Sequence, residues 1–184
     1  LSNAKAQSAN FPFCTIEPNI GVITVPDERL AKLEALVKPE RVLPTSVEIV
    51  DIAGLVKGAS KGEGLGNKFL GNIRETDAII HVLRCFENEN ITHVDTTIDP
   101  VRDKETIDIE LQLKDLETVE GRIAKVEKQA RTGGDPESKR LFKVLSVYKD
   151  VLMQGKSART VEVDPADVTL VAGLQLLTNK PILY

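Results

Sequence analysis

The sequence predicts an α/β protein with a mostly parallel sheet, into which an antiparallel helical hairpin is inserted. Two stretches of different character support this. From 11 to about 99, short apolar runs alternate with segments whose apolar residues recur at helical spacing, as in α/β layer folds. From about 101 to 155 the chain is charged, poor in glycine and apolar at every third or fourth position, as expected for long helices.

The first stretch supplies the predicted sheet. Strands are predicted at 21–25, 46–50 and 78–83, where apolar and β-branched residues dominate. One helix is predicted to begin after Pro26-Asp27, since apolar residues follow at helical spacing, and another near 65–75. Ligands of parallel α/β sheets bind beyond the carboxyl ends of the strands, which is where Asp51 falls.

The second stretch predicts the hairpin, which resembles a two-stranded coiled coil. The stripe of its first helix, roughly 28 residues and ~40 Å long, consists of Ile109, Leu113, Leu116, Val119, Ile123, Val126 and Ala130. Glycines at 133 and 134 end this helix, and Asp135-Pro136 suits the start of the next. The second stripe consists of Leu141, Val144, Leu145, Tyr148, Val151 and Leu152. A helix at 165–178 and a strand from Pro181 then resume the α/β pattern.

The composition is that of a globular intracellular domain. The chain has 184 residues, 41% hydrophobic and 28% charged, which is enough for a substantial core. A net charge of −4 argues against a nucleic-acid binder driven by overall charge. The two cysteines are too few for a disulfide scaffold, and no apolar run approaches the ~18 residues of a membrane span. We therefore expect a cytoplasmic protein with no membrane partner.

Asp51 introduces the most informative segment of the chain. Gly54 follows it, and further glycines stand at 58, 62, 64, 66 and 71. An aspartate at a strand tip can orient a hydrated Mg²⁺, and a glycine lets a backbone N–H approach a terminal phosphate. The alternative is an Asx turn that closes the strand. A dinucleotide-binding loop is not indicated, because the glycines at 62, 64 and 66 lack the G-x-G-x-x-G spacing.

Longer strings of residues carry a family resemblance. They are Asn10-Phe-Pro-Phe-Cys-Thr-Ile-Glu-Pro-Asn19, the runs 51–70 and 72–77, and Arg84-Cys-Phe-Glu-Asn88. The chain resembles the YchF / Obg-like ATPase family, P-loop hydrolases of the translation-factor class, from about residue 9 onward. This implies a three-layer P-loop NTPase fold. The family's G-x-x-x-x-G-K-[ST] phosphate loop is missing from this sequence, which begins at Leu1, so we expect an internal fragment of a longer protein.

The resemblance also implies roles for individual residues. Thr15 and Asp51 are implied as Mg²⁺ ligands, and Thr15, Gly54 and Leu55 as nucleotide contacts. On the residues alone, a surface threonine that caps a turn is the better explanation of Thr15; the resemblance favours the ligand. Leu55 stands where Ras-like enzymes place the glutamine that positions the attacking water. An aliphatic side chain cannot orient water, so hydrolysis must recruit another group.

The two histidines are treated differently. His93 lies in a predicted loop, 89–94, from which it can swing toward a phosphate, and an imidazole can donate or accept a proton at neutral pH. We therefore take His93 as the candidate catalytic residue, with a surface loop histidine as the alternative. His81 lies within the predicted strand 78–83 and is expected to be a packed structural residue.

These observations lead to one expected function and one alternative. The full-length protein is expected to be a monomeric Mg²⁺-dependent nucleotide hydrolase. The resemblance implies ATP in preference to GTP, and a ribosomal RNA or protein partner. Residues 1–100 and 160–184 would form the nucleotide-binding domain and 101–159 the hairpin; this fragment alone is expected to be inactive. The alternative is a non-catalytic module that docks RNA or protein through the hairpin, toward whose tip Arg122, Lys125, Lys128, Arg131, Lys139, Arg140 and Lys143 cluster.

Overall fold

The computed structural model describes residues 18–52, 58, 65–91, 93, 97–132 and 136–184. By contacts, the chain divides into two compact units, Leu1–Ala53 and Gly54–Tyr184. The elements of the first unit are β1 (Asn19–Thr24), α1 (Glu28–Val37) and β2 (Ser46–Asp51). Those of the second are α2 (Leu65–Arg74), β3 (Ile79–Ile80), α3 (Pro100–Arg131), α4 (Pro136–Met153), α5 (Val168–Ala172) and β4 (Ile182–Leu183), with 3₁₀ turns at Ala158–Thr160 and Leu177–Asn179.

Helix α1 begins where the sequence predicts. Asp27 is its N-cap, and the carboxylate accepts a hydrogen bond of 2.9 Å from the backbone N–H of Arg29. The guanidinium of Arg29 pairs with the same carboxylate at 2.8 Å. At the other end, Lys38 adopts a left-handed φ of 49°, which stops the helix. The helix predicted to begin after Pro26-Asp27 is therefore confirmed.

The expectation of a mostly parallel sheet is wrong for the first two strands. β1 and β2 pair in antiparallel fashion, with Asn19 opposite Asp51 and Thr24 opposite Ser46. A parallel pair needs a crossover that packs on the sheet, but no residue of α1 is buried. Instead the backbone N–H of Val25 donates to the carbonyl of Thr45 at 2.8 Å. The start of β2 therefore lies beside the end of β1, as in an antiparallel pair.

In the second unit, β3 and β4 pair in parallel, with Ile79 opposite Ile182. This short pair agrees with the predicted strands at 78–83 and from 181. The described β3 is shorter than predicted, because only two of its residues have a partner strand. The backbone pairing nevertheless continues one step further, since the N–H of His81 donates to the carbonyl of Leu183 at 2.8 Å.

Helices α3 and α4 pack against each other through most of the predicted apolar positions. Their shared core consists of Val119, Val126, Leu141, Leu145, Tyr148 and Leu152, together with Ala158, Leu174 and Leu176 that follow α4. Glu120 and Lys149 form an ion pair of 2.8 Å between the two helices. Ile109 and Leu113 are predicted in the same stripe but are exposed. In that part of α3 the buried residues are Glu110 and Leu111, which lie outside the predicted stripe.

The predicted helix at 165–178 is wrong beyond its first turns, since α5 ends at Ala172. Gln175 has a left-handed φ of 46°, which a helix does not tolerate. The backbone N–H groups of Leu177 and Thr178 bind the carboxylate of Asp115 from α3 instead of helix carbonyls. A tertiary contact therefore takes the N–H groups of the last residues of the predicted helix.

Candidate functional site

Asp51 lies where the sequence pattern places it, as the last residue of β2. It is exposed, and its carboxylate makes no hydrogen bond or ion pair with any residue that the structure describes. A carboxylate oxygen at a strand end is a hard ligand of the kind that Mg²⁺ prefers, and magnesium sites commonly use only one or two carboxylates. The donor chemistry of Asp51 therefore fits the implied ion.

The other residues of the implied nucleotide site have no described position. Thr15, Gly54 and Leu55 all lie outside the residues that the structure describes. Their roles as magnesium ligand and nucleotide contacts remain predictions from the sequence. Gly58, further along the same glycine-rich segment, is described: its φ is +88°, a conformation that glycine adopts readily and other residues rarely do.

His93 is held by a carboxylate at the start of α3. Its Nε2 lies 3.0 Å from Oδ2 of Asp103, and the two side chains are only 20% and 19% exposed. When Nε2 carries the proton and donates a hydrogen bond to Asp103, the lone pair of the imidazole is on Nδ1. The pair therefore has the geometry in which a carboxylate fixes the orientation and tautomer of a general base.

Asp103 is itself anchored from its other side. Arg102 donates to Oδ1 of Asp103 through Nη2 at 3.0 Å and through Nε at 3.2 Å. The same guanidinium binds the carbonyl of Thr97 at 2.7 Å and its hydroxyl at 2.9 Å. Asp103 also occupies the first turn of α3, where the helix dipole favours a negative charge. The carboxylate that faces His93 is thus fixed in position by a guanidinium and a helix end.

Arg84 organises the loop that leads to His93. Its guanidinium donates to the carbonyls of Phe86, Asn88 and Ile91 at 3.0, 2.8 and 2.9 Å. It also lies 5.2 Å from the centroid of the Phe86 ring, within the range of a cation–π contact. One side chain therefore satisfies three loop carbonyls, and it belongs to the string Arg84-Cys-Phe-Glu-Asn88 that carries part of the resemblance.

His81 sits beside the end of β4. Its ring lies 5.8 Å from that of Tyr184, and Nζ of Lys104 lies over the Tyr184 ring, 5.1 Å from its centroid. The Nδ1 of His81 is buried without a partner among the described residues. Burial lowers the pKa of His81, as does nearby Lys104, while Asp108 opposes them. A packed structural histidine is what the sequence predicts at this position.

Two residues near these groups are not predicted by the sequence pattern. Asp103 faces His93, and Glu110, only 4% exposed, accepts a hydrogen bond of 2.6 Å from the N–H of Gly58. Both belong to the charged helix α3, whose acidic residues are ordinarily solvated. The sequence signal that could have identified them is their spacing of seven residues, which places both on one helix face.

Two kinds of site are absent from the described residues. No group of three or more histidine, cysteine, aspartate or glutamate side chains in the described part of the chain is arranged to hold a metal ion. None of the described helices has the length and apolar character needed to cross a lipid bilayer.

A family model and several known proteins are similar to this chain. A family model described as 50S ribosome-binding GTPase matches residues 1–115. The ribosome-binding ATPase YchF of Bacillus subtilis (strain 168) is 54% identical over 184 residues, which make up 100% of this chain and 50% of that protein. The ribosome-binding ATPase YchF of Escherichia coli O157:H7 is 52% identical, with the same coverage. These matches confirm the resemblance stated from the motifs.

A solved structure shows the fold. The structure of the Schizosaccharomyces pombe YchF GTPase superposes with a TM-score of 0.72 at 37% identity, covering 96% of this chain and 48% of that one. The chain therefore has a GTPase-like α/β fold. It spans about half the length of the curated relatives it matches.

Proposed function

Because this chain belongs to the family described as 50S ribosome-binding GTPase, we propose that the full-length protein is a Mg²⁺-dependent nucleoside triphosphatase that acts as a ribosome-associated switch. The observation that carries this proposal is Asp51, an exposed carboxylate at the tip of β2 that precedes the glycine-rich segment. The names of the relatives support the activity and the partner, since they are ribosome-binding ATPases.

ATP is the proposed nucleotide, with GTP as the competitor to be tested. The curated relatives are named ATPases, whereas the family model and the yeast structure are named GTPases. In the proposed arrangement, residues 1–100 and 160–184 contribute to a three-layer nucleotide-binding domain with a partly parallel sheet. Residues 101–159 form an antiparallel, coiled-coil-like helical hairpin built on α3 and α4.

The proposed mechanism gives each residue of the site a separate role. Asp51 and Thr15 would hold Mg²⁺, and the bound ion would offset negative charge on the phosphates of the nucleotide. The N–H of Gly54 contacts the terminal phosphate. Leu55 lines the site but cannot orient water, so we assign that role to His93. Asp103 accepts a hydrogen bond from the protonated Nε2 of this histidine, and Nδ1 then takes a proton from the attacking water, which leaves an imidazolium paired with Asp103.

The metal assignment is tested by Asp51→Asn in the full-length protein. The matched control is Glu48→Gln, which removes a charge from an exposed residue of the same strand. We expect Asp51→Asn to abolish magnesium-dependent ATP hydrolysis with an unchanged circular dichroism spectrum, and Glu48→Gln to leave turnover intact. Unchanged turnover in Asp51→Asn would refute the site. Initial rates with ATP and GTP in parallel would establish the preferred base.

The role of His93 is tested by His93→Ala and Asp103→Asn. A lost general base costs about 10²–10⁴ in kcat, and the KM for ATP should stay near its original value. Asp103→Asn should lower kcat less and shift its pH profile, because it changes the tautomer and basicity of the imidazole. His81→Gln is the histidine control and should preserve turnover. Wild-type kcat in His93→Ala would eliminate this residue from the chemistry.

A second candidate function rests on the charge of the helical pair. Residues 121–143 carry seven lysines and arginines against three acidic residues, in a chain whose net charge is −4. Such a basic end fits phosphate groups of RNA. In this alternative the segment docks to RNA or protein without hydrolysing anything.

Ribosome cosedimentation discriminates the two functions. The double variant Lys125→Ala/Lys128→Ala should weaken ribosome binding and reduce its salt dependence, because phosphate contacts release counterions. Lys32→Ala, on the exposed helix α1, is the control. Weaker ribosome binding together with intact ATP hydrolysis supports a switch that docks through α3 and α4. A full-length protein that binds ribosomes but hydrolyses neither nucleotide supports the binding module.

A further inference from the structure

Arg84 holds a loop that ends next to His93 in the chain. The structure describes residues 84–91 in full, and they form a loop beyond β3. We call it the Arg84 loop. Ile91 is its last residue, and a single residue separates Ile91 from His93. Because two residues of extended chain span about 7 Å at most, the position of Ile91 limits where His93 can lie.

Each nitrogen of the Arg84 guanidinium binds a different carbonyl of this loop. Nε donates to Phe86 at 3.0 Å, Nη2 donates to Asn88 at 2.8 Å, and Nη1 donates to Ile91 at 2.9 Å. The ring of Phe86 also lies against the guanidinium. The planar fork of arginine has donors that point in several directions, whereas a lysine ammonium is a single point charge. The contacts are therefore specific to arginine.

A turn at the end of the loop reinforces this closure. Oδ1 of Asn88 accepts from the backbone N–H of Asn90 at 2.9 Å, and the carbonyl of Asn88 accepts from the N–H of Ile91 at 3.2 Å. The side-chain bond is an Asx turn, which fixes the local direction of the chain. Arg84 binds the same carbonyl of Asn88. It therefore ties a turn that already has its own hydrogen bonds to the chain that leaves β3.

The partners of Arg84 lie at the surface of the protein. Phe86 is 57% exposed, and Asn88 and Ile91 are exposed as well. Water can bind these carbonyls when the guanidinium is removed, so its loss changes the stability of the whole protein little. The loop itself gains conformational freedom, because its backbone is no longer fixed. The contacts therefore determine the position of the loop more than the stability of the fold.

We propose that Arg84 is a positioning residue that holds the Arg84 loop so that His93 stays in contact with Asp103. This inference rests on the proposed function, which takes His93 as the group that orients the attacking water. Asp103 fixes the imidazole through Nε2 at 3.0 Å, and Arg84 fixes the chain that leads to it. A displacement of about 1 Å at a reacting group costs about 10²-fold in rate. The guanidinium binds the loop, so its effect on hydrolysis passes through His93.

A double-mutant cycle in the full-length protein tests this role. Steady-state ATP hydrolysis is measured for Arg84→Ala, for His93→Ala and for the two combined. Arg84→Lys keeps the positive charge but lacks the fork, and it keeps the test decisive if Arg84→Ala does not fold. Arg41→Ala, which removes an arginine from an exposed position outside the loop, is the matched control. Hydrogen exchange of the amides at 86–91 is followed in the same variants.

We expect Arg84→Ala to lower kcat by about 10- to 100-fold, with the KM for ATP near its wild-type value and faster exchange of the loop amides. Arg84→Lys should behave similarly, because one ammonium cannot bind three separate carbonyls in the directions that the fork does. Arg41→Ala should keep wild-type turnover. In the His93→Ala background, Arg84→Ala should cause no further loss of kcat, since residues that act as a unit are not additive.

Three results would overturn the inference. Wild-type kcat in Arg84→Ala is the first, and wild-type kcat in Arg84→Lys is the second, because charge without the fork would then suffice. The third is an equal loss from Arg84→Ala with and without His93, which would mean that Arg84 acts by another route. Wild-type kcat in His93→Ala would instead refute the assignment of His93 in the proposed function, so the two failures are distinguishable.

Discussion

Replacing Asp115 by alanine tests how α3 is fixed to the segment before β4. Asp115 is fully buried, and its carboxylate accepts from the N–H groups of Leu177 and Thr178 and from the Thr178 hydroxyl, each at 2.7 Å. Burial raises the pKa of Asp115, and these three donors act in the opposite direction. The charge is tolerated because the donors replace the water that it has lost.

The expected loss follows from the donors left behind. Asp115→Ala deprives the N–H groups of Leu177 and Thr178 of their acceptor. These residues are 0% and 2% exposed, so solvent cannot take the place of the carboxylate. Each unsatisfied buried donor costs about 1–3 kcal/mol, and relief of the desolvated carboxylate offsets part of the sum. We expect the free energy of unfolding to fall by about 2–5 kcal/mol.

Urea unfolding followed by far-UV circular dichroism measures this loss. The midpoint should fall while the slope m stays constant, since the surface exposed on unfolding is nearly unchanged. Asp150→Ala, at an exposed position of α4, should change the free energy by less than about 0.5 kcal/mol. A loss below about 1 kcal/mol in Asp115→Ala would refute the conclusion that this carboxylate holds the two elements together.

Three further predictions concern stability. Burial lowers the pKa of His81, so the unfolded chain takes up a proton more readily than the folded one. The stability that the neutral imidazole contributes is therefore present above pH ~6.5 and is lost as pH falls through the lowered pKa. In urea unfolding the wild type should lose stability relative to His81→Gln over this range, and equal pH slopes would contradict it. Asp27→Ala should lower hydrogen-exchange protection of the α1 amides, because the capping bond to Arg29 is lost; unchanged protection speaks against the cap. Leu145→Ala should cost about 2–5 kcal/mol at its fully buried site, whereas Leu113→Ala at an exposed site should cost far less, and similar losses would show that α3–α4 packing is misassigned.

Local patterns predict those parts of the fold that are determined locally. The Asp27 cap and the spacing of apolar residues locate α1, and Pro136 marks the beginning of α4. The direction of β2 relative to β1 is predicted wrongly, because strand pairing depends on how the connection packs and not on either strand. The helix expected at 165–178 fails for a similar reason. Asp115, some sixty residues earlier, captures the backbone N–H groups that the helix would have used.

The residues of the candidate site are likewise predictable only where their neighbours in the sequence identify them. Asp51 can be placed from its own neighbourhood, since it ends an apolar strand and precedes a glycine-rich segment. Asp103 and Glu110 cannot, because their partners lie 10 and 52 residues away. A charged residue on a charged helix is usually solvated. Only the folded chain shows that these two face inward.

The contacts of α3 explain why its first half breaks the apolar pattern that its second half follows. Asp103 holds the imidazole of His93, Glu110 binds the glycine-rich segment, Thr118 binds α2, and Asp115 fixes the chain before β4. Polar side chains are needed at these positions because each partner is a hydrogen-bonding group and not an apolar surface. From Val119 onward the partner is α4, and apolar residues return. A rotation of α3 would therefore move all four polar contacts together, whereas a change confined to α4 would leave them in place.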